Sequence, residues 1–469
     1  MRHKEGESRQ QGTLFPETLD EYVAADNPVR VIDAFIDKLD MEALGFNYAV
    51  TKATGRKPYA PSDLLKLYIY GYLNQVRSTR RLEKECHRNV EVLWLMKRLA
   101  PDFKTISNFR QQNSRAIRQS CRGFIQFCRE ANLLNSAMVA IDGSKFTAAA
   151  SMSKTYNRKQ LDRLQKRLNR QIEGYLNLLK QSEQGEAESS PGAVEAALKK
   201  LQQRQSRLDA LSNTMDEQGL SQVCETEAEV KRMRSGREGV IAGYNVQSAV
   251  DDETGLIVHH EVTNESTDNR QLAPMTKAVQ AVLDRQTLRV LADAGYSNGE
   301  QLAELDSMGV EAVVPPNRAR NNQGNYYQKH DFTYDEKRDC FICPVGKVLS
   351  YQTIQRKGKQ KLYARSGCSQ CAQQSACTKA DKRWITRHFH EGALEQAQQR
   401  VDSNPQLMRR RSAIVERPFA QIKQTMNIRR FLCWGKEGAS AEMGLTVLAY
   451  NLNRLMNEIG IERMLKLAG

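Results

Sequence analysis

The sequence has no run of about 18 apolar residues, so it offers no helix long enough to span a bilayer. Its first twelve residues, MRHKEGESRQQG, are polar and lack the apolar core of a secretory signal, which leads us to expect a cytoplasmic protein. Acid is short relative to base: 55 Asp and Glu face 70 Lys and Arg, for a formal net charge of +15. That imbalance points to a polyanionic partner, nucleic acid first, although a basic surface also serves solubility alone. In a reducing compartment the 10 cysteines are expected as thiols or metal ligands rather than disulfides. At 469 residues the chain is too long for one ordinary domain, and two to four units are expected.

Residues 1–20 read as a flexible arm. Apolar residues then recur at helical spacing from Asn27 to Leu44, through Val31, Ile32, Phe35, Ile36 and Leu39. Gly55-Arg56-Lys57-Pro58 is a basic loop. Pro61-Ser62-Asp63 opens a helix with Ser62 as its N-cap, and Ser78 to Glu83 opens a second. Asn89 to Leu99 forms a third, ended by Pro101, and Thr105 to Arg110 opens another. Arg80, Arg81 and Arg110 lie in these segments. Short helices with basic starts suggest a compact DNA-binding domain of helix-turn-helix type. A helical bundle with a solvated basic face leaves much the same pattern.

Residues 154–212 differ. Leu161, Leu164, Leu168, Ile172, Tyr175 and Leu179 step by three and four, and after a polar break at Ser182 to Gly192 so do Val194, Leu198, Leu201, Leu208 and Leu211. This pattern predicts two long amphipathic helices, paired as an antiparallel hairpin or between subunits. Strand signals return at Gly239 to Val250 and Leu256 to Val262, joined by the turn-rich Asp251 to Gly255. A helix from about Asn269 to Leu283 follows, then an apolar run from Leu288. Ser297 caps a helix through Met308, and a strand at Val310 to Val314 is ended by Pro315-Pro316. That order suggests a mixed α/β sheet flanked by helices. Residues 317–400 are polar, irregular and cysteine-rich. Met408 to Thr425 is a basic helix, and a final helix runs from about Ala439 to Ile459.

Two apolar runs stop at an aspartate with glycine close behind: Met138 to Ile141 at Asp142, and Leu288 to Ala292 at Asp293. Such runs suggest strands buried on both faces, with a carboxylate held at the sheet margin. Taken singly, each aspartate reads more simply as a turn or capping residue. Glu416, on the basic helix, supplies a third carboxylate. Three converged carboxylates repel one another unless cations stand among them. Hard oxygen ligands with open positions suit Mg²⁺ or Mn²⁺, and two such ions about 3.5–4 Å apart serve an in-line displacement at phosphorus. Lys423 lies two regular turns beyond Glu416 and shares its face; Arg411 lies five residues before it, at a less favourable angle. Both are candidates to grip phosphate, and Lys423 is equally consistent with a cation snorkelling at the surface. Asp251, Asp252 and Glu253 read as turn residues. Asp268 reads as a helix cap and is the rival to the three acids.

The cysteines form a second constellation. Cys340-x2-Cys343 and Cys368-x2-Cys371, with Cys377 soon after, sit in a polar stretch with little apolar core. A tetrahedral zinc site would supply the missing binding energy. By spacing alone its ligands are Cys340, Cys343, Cys368 and Cys371; free thiols are the alternative. Cys86, Cys121, Cys128, Cys224 and Cys433 are isolated and read as packing residues.

Taken in order, these segments resemble the DDE transposases of bacterial insertion sequences. The likeness is to the branch with a helical N-terminal domain and a cysteine-containing insert in a ribonuclease-H-like core. It is carried by Tyr59-Ala60-Pro61 through Leu73, Ser78 to Leu82, Thr105 to Arg110, Ile141-Asp142-Gly143, Gly243 to Gln247, Ala292 to Tyr296, Val415 to Phe419 with Lys423, and Ala449 to Leu452. Each is weak alone; their order and spread over most of the chain give the resemblance its weight.

The resemblance implies that Asp142, Asp293 and Glu416 are a metal-binding triad for Mg²⁺ or Mn²⁺. It implies an enzyme that cuts DNA at the ends of its mobile element and joins the 3′-hydroxyls to target DNA. It favours Cys343, Cys368, Cys371 and Cys377 as zinc ligands over a set with Cys340. The expected partner is double-stranded DNA, element ends and target, bound by a homodimer near the nucleoid. The expected organisation is an arm (1–20), a helical DNA-binding domain (21–135), a ribonuclease-H-like core (136–153, 213–316 and 401–469), a coiled-coil-like insertion (154–212) and a zinc-ribbon-like insert (317–400). One departure stands out. Some relatives carry Tyr, Arg, Glu and Lys at fixed spacing on the last helix, whereas here Arg409 and Ser412 occupy the Tyr and Arg positions, and Arg411 is the candidate substitute. Two other functions share much of this pattern: a non-catalytic DNA-binding protein on the same scaffold, and a metal-dependent nuclease without strand transfer.

Overall fold

The computed structural model describes residues 18–51, 57–183, 191–236, 239–317 and 326–468. The arm before residue 18, Gly55 and Arg56 of the basic loop, and residues 184–190 of the polar break lie outside the described residues. The chain divides into two compact units: Met1–Asn135, Gly143–Ser266 and Val415–Gly469 in one, Ser136–Asp142 and Thr267–Ile414 in the other.

In the first unit α1 (Pro28–Asp37) starts where the Asn27 side chain accepts the Val29 N–H at 2.9 Å, and it buries Val31, Ile32, Phe35 and Ile36. α2 (Pro61–Leu73) opens on Pro61 with Ala60 at the N-cap, so Ser62 lies inside the first turn and is not the cap. α3 (Thr79–Arg88) and α4 (Val90–Leu95) follow. α5 (Phe103–Gln112) starts two residues earlier than Thr105, because Asp102 takes the N–H groups of Lys104 and Thr105. α6 (Ser114–Glu130) is a helix not anticipated above; Ile117, Cys121, Phe124, Ile125 and Cys128 turn inward from it.

β1 (Met138–Thr147) comes next. The expected hairpin follows: β2 (Thr155–Asn157), α7 (Arg158–Glu183), α8 (Pro191–Glu217) and β3 (Gln222–Cys224). β2 and β3 pair antiparallel at its base, and Leu161, Leu168, Ile172, Leu198 and Leu208 share one buried cluster. β4 (Lys231–Ser235), β5 (Gly239–Asp251) and β6 (Ile257–Thr263) then form an antiparallel meander. The turn assigned to Asp251 is built by that residue, whose carboxylate takes the Thr254 N–H at 2.8 Å and hydroxyl at 2.7 Å.

The second unit contains α9 (Leu272–Leu283), β7 (Arg289–Leu291), α10 (Gly299–Ser307) and β8 (Glu311–Val313). Asn298, not Ser297, caps α10, accepting the N–H groups of Glu300 and Gln301. Residues 317–400, expected to be irregular, contain an antiparallel sheet: β9 (Thr333–Asp335), β10 (Cys340–Ile342), β11 (Val348–Gln355), β12 (Gln360–Arg365) and β13 (Arg383–His388). Phe332, Phe341, Leu349, Tyr363 and Ile385 give it a small core of its own. All of β11 except Leu349 is exposed, so the alternation that would betray a strand is absent. α11 (Glu391–Ser403) and α12 (Gln406–Ala420) follow.

The first unit is completed by α13 (Gly435–Ile459) and α14 (Ile461–Ala468). From α13, the buried Asn451 side chain accepts the Ile257 N–H and donates to the Ile257 carbonyl, both at 2.9 Å. Gly243 explains itself equally simply: a Cβ there would stand 2.1 Å from the Phe146 carbonyl oxygen.

The main sheet runs β4-β5-β1-β7-β8, with β6 also paired to β5. β6 is antiparallel to β5, while β1, β7 and β8 are parallel. The fold is mixed α/β.

Candidate active site

The parallel register of β1 and β7 runs Met138↔Arg289, Val139↔Val290, Ala140↔Leu291. Asp142 and Asp293 each lie two residues past the last rung, which brings two sequence-distant carboxylates to the same level. β1 does not end at Asp142, as its flanking glycine suggested; it continues to Thr147, and only its pairing with β7 stops at Ala140. The Arg411 guanidinium lies against both acids. Its Nη2 donates to Asp142 Oδ1 at 2.8 Å and stands 3.9 Å from Asp293 Oδ2. The three side chains are 12% exposed for Arg411, 24% for Asp142 and 47% for Asp293, so a ligand reaches the carboxylates more readily than the cation. Arg411 Nε is buried and has no hydrogen-bond partner among the described residues. Asp293 also caps the turn Ala294–Tyr296: its Oδ1 accepts the Gly295 N–H at 2.8 Å. Asp293 therefore both caps this turn and faces the Arg411 guanidinium.

Asp268 is not a helix cap. Gln271 holds the N-cap position of α9, and its N–H donates to the Asp268 backbone carbonyl at 2.9 Å. Its carboxylate acts elsewhere. Burial first, then the charges of Asp268, Asp142 and Asp293, push the Tyr296 phenol well above its ordinary value, with Arg411 opposing. Tyr296 is thus a neutral hydroxyl that feels the charge of all three acids. The sequence reading recognised it within a matching segment but gave it no role; its one signal was its position three residues after Asp293.

Glu416 is exposed on α12, five residues after Arg411. Lys423 does not continue that helix. Pro418 lies within α12, and Gln421–Thr425 is a π-helical turn, so the two-turn spacing that put Lys423 on the face of Glu416 does not hold. Lys423 Nζ donates to the Lys145 carbonyl at 2.7 Å and lies 4.5 Å from the Phe146 ring centre.

Among the N-terminal arginines, Arg80 and Arg81 are exposed, Arg80 lying over the Phe103 ring at 5.1 Å. Arg110 is a correction. It is 7% exposed, its guanidinium 5.4 Å from the Tyr68 ring, on a face of α5 that also buries Ile106 and Phe109. A side chain so covered is a core residue and does not present itself to DNA.

Cys343, Cys368, Cys371 and Cys377 line one cavity of about 410 Å³ in the small sheet, whereas Cys340 is buried within β10 and does not line it. Cys343 Sγ accepts the Lys347 N–H at 3.3 Å. Burial raises the Cys377 thiol, and the neighbouring Cys368, Cys343 and Cys371 raise it further. Among the described residues, no three His, Cys, Asp or Glu side chains stand at metal-holding spacing. The two converged carboxylates nonetheless have the chemistry of a hard-cation site, and the four thiols that of a soft one.

Two family models match the chain. Residues 17–112 match a transposase domain (DUF772), and residues 216–452, just over half of the chain, match a transposase DDE domain. Asp293, Arg411, Glu416 and Lys423 fall inside the second match; Asp142 and α6 fall in neither. No curated protein matches. Among solved structures, a piggyBac transposase synaptic complex with hairpin DNA aligns at 9% identity with a TM-score of 0.33, over 94% of this chain and 79% of that one. No helix of the described residues is long and apolar enough to cross a membrane.

Proposed function

This chain belongs to the DDE transposases, the family of the domain matched by residues 216–452, and on that premise we propose that it cuts DNA at the ends of its element and joins them to target DNA. The observation that carries the reading is the convergence of Asp142 and Asp293 on one guanidinium. Two carboxylates drawn together just past the last rung of the β1–β7 pairing need a counter-charge, and Arg411 supplies one. Asp142, Asp293 and Glu416 would hold the divalent ions, Mg²⁺ or Mn²⁺, which when bound neutralise charge on the phosphoryl group and activate the attacking oxygen. Arg411 and Lys423 are read as the cations that steady the phosphates. Tyr296, kept protonated, is read as a hydroxyl donor available to these carboxylates.

The reaction balances as two displacements at phosphorus. A water oxygen bonds to phosphorus, the P–O3′ bond at the element end breaks, and the freed O3′ takes up a proton. That 3′-hydroxyl then bonds to a target phosphorus and loses its proton, and the target P–O3′ bond breaks. DNA is read as bound by a homodimer. Zinc on Cys343, Cys368, Cys371 and Cys377 is read as a structural tie of the small sheet; protein purified without chelator is expected to carry about one zinc per chain, lost on Cys371→Ser.

The decisive experiment incubates the protein, with Mn²⁺ or Mg²⁺, with DNA carrying the sequences that flank its own gene. Nicked and joined products are expected, and both vanish in Asp142→Asn while DNA binding persists. Nicking without joining would leave a nuclease, and binding without nicking a DNA-binding scaffold.

A further inference from the structure

The first unit contains a second concentration of positive charge, on a helix that neither family model covers. Arg115, Arg118 and Arg122 recur on α6 at spacings of three and four, which puts them on one face. With His259 and His260 of β6 they line a cavity of about 200 Å³. Arg115 and Arg122 are exposed; Arg118 is partly covered and reaches Glu437 at 3.3 Å. His260 is 8% exposed, and its Nε2 is buried with no hydrogen-bond partner among the described residues. A buried polar nitrogen left unpaired costs free energy that a ligand oxygen would recover. One carboxylate, Glu261, stands in the lining against three guanidinium groups.

We propose that this face of α6 with the His259–His260 pair is a docking site for the phosphodiester backbone of duplex DNA. The proposal rests on the DNA-binding reading above and adds a contact surface to it. Size selects the ligand: about 200 Å³ takes one phosphate group, whereas pockets for whole small molecules start at about 300 Å³. Spacing selects its context. Arg115 to Arg122 spans about 10 Å along the helix axis, close to the axial rise across three phosphate-to-phosphate steps on one strand. Guanidinium forks suit phosphate oxygens, and the unpaired imidazole nitrogen supplies the inner end of the site.

The test measures binding of the full chain to a fluorescent duplex across a salt series. Arg118→Gln with Arg122→Gln is compared with Arg163→Gln with Arg167→Gln, an exposed pair on α7 that changes net charge equally. Loss of two phosphate contacts is expected to lower the log–log salt slope by about 1.8 and weaken binding roughly tenfold or more, with the α7 pair near wild type. Arg118→Lys with Arg122→Lys should regain most of the slope, and melting curves confirm that each variant folds. If wild type binds and the α6 pair binds with the same slope, this site is wrong and the function above stands. If wild type binds no DNA, both fall. If sodium phosphate stabilises wild type over sodium chloride at equal ionic strength, and the α6 pair loses that effect while binding DNA normally, the ligand is free phosphate and DNA docking is overturned.

Discussion

Asp293 holds two partners at once: one carboxylate oxygen takes the Gly295 N–H and the other faces Arg411. Chemistry and capping can therefore be separated. Asp293→Asn keeps a capping oxygen and loses the charge, so its melting temperature should stay near wild type while Mn²⁺-dependent nicking disappears. Asp293→Ala should lose nicking too and cost about 1 kcal/mol of stability besides. Equal melting temperatures for the two variants would show that the cap contributes nothing. Arg411→Gln leaves Asp142 and Asp293 without the cation that now lies against them. Without divalent ions it should melt a few degrees lower, at about 2–4 °C per kcal/mol, and gain more than wild type when Mn²⁺ is added. An identical Mn²⁺ shift in both proteins would mean that Arg411 does not compete with metal. The two aspartates were legible because each closes an apolar run. The parts played by Arg411 and Tyr296 were not, because they depend on which side chains a distant helix and a one-turn loop bring to the strands.

Elements were legible where apolar periodicity runs long and unbroken, whereas the caps read at Ser62 and Ser297 fall elsewhere. The hairpin of α7 and α8 is the clearest case, since its leucines pack in the order their spacing implied. α6 carried a comparable signal in Ile117, Cys121, Phe124, Ile125 and Cys128, but Arg115, Arg118 and Arg122 interrupt it. The small cysteine-rich sheet was hidden because β9 and β10 span only Thr333–Asp335 and Cys340–Ile342, and β11 is exposed but for Leu349. Lys423 was misphased because helical arithmetic assumes 3.6 residues per turn, and Pro418 with the π turn breaks that assumption. The matching segments around Gly243 and Asn451 are packing devices. Gly243→Ala forces a methyl into the Phe146 carbonyl and should cost about 1–3 kcal/mol or more. Asn451→Leu strips both partners from the Ile257 backbone and should cost about 2–3 kcal/mol. Urea unfolding measures both; a neutral result for either would remove its structural explanation.

For the whole molecule, net charge spoke correctly for a family that acts on DNA, while the division into two units could not be read from composition. Acid stability is a property of the fold as a whole. Burial, reinforced by Arg122, holds the His259 imidazole down at about 4; burial, His259, Arg118 and Arg122 hold His260 at about 3. The unfolded chain takes up protons below about pH 6.5 that the folded chain refuses. Stability should therefore fall as pH drops from about 6.5 towards 4, by about 1.4 kcal/mol per pH unit for each proton. Urea midpoints at pH 7, 6 and 5 test this, and His260→Gln should flatten the decline; an unchanged slope would show that other groups govern it. The three rungs that join β1 to β7 have a last consequence, for how such a chain can change over time. One extra residue between Ala140 and Asp142 would swing that acid to the opposite side of its strand. Only a matching insertion between Leu291 and Asp293 would bring the acids level again, so the lengths of two separate stretches of the gene are tied to each other even where their side chains are free to vary.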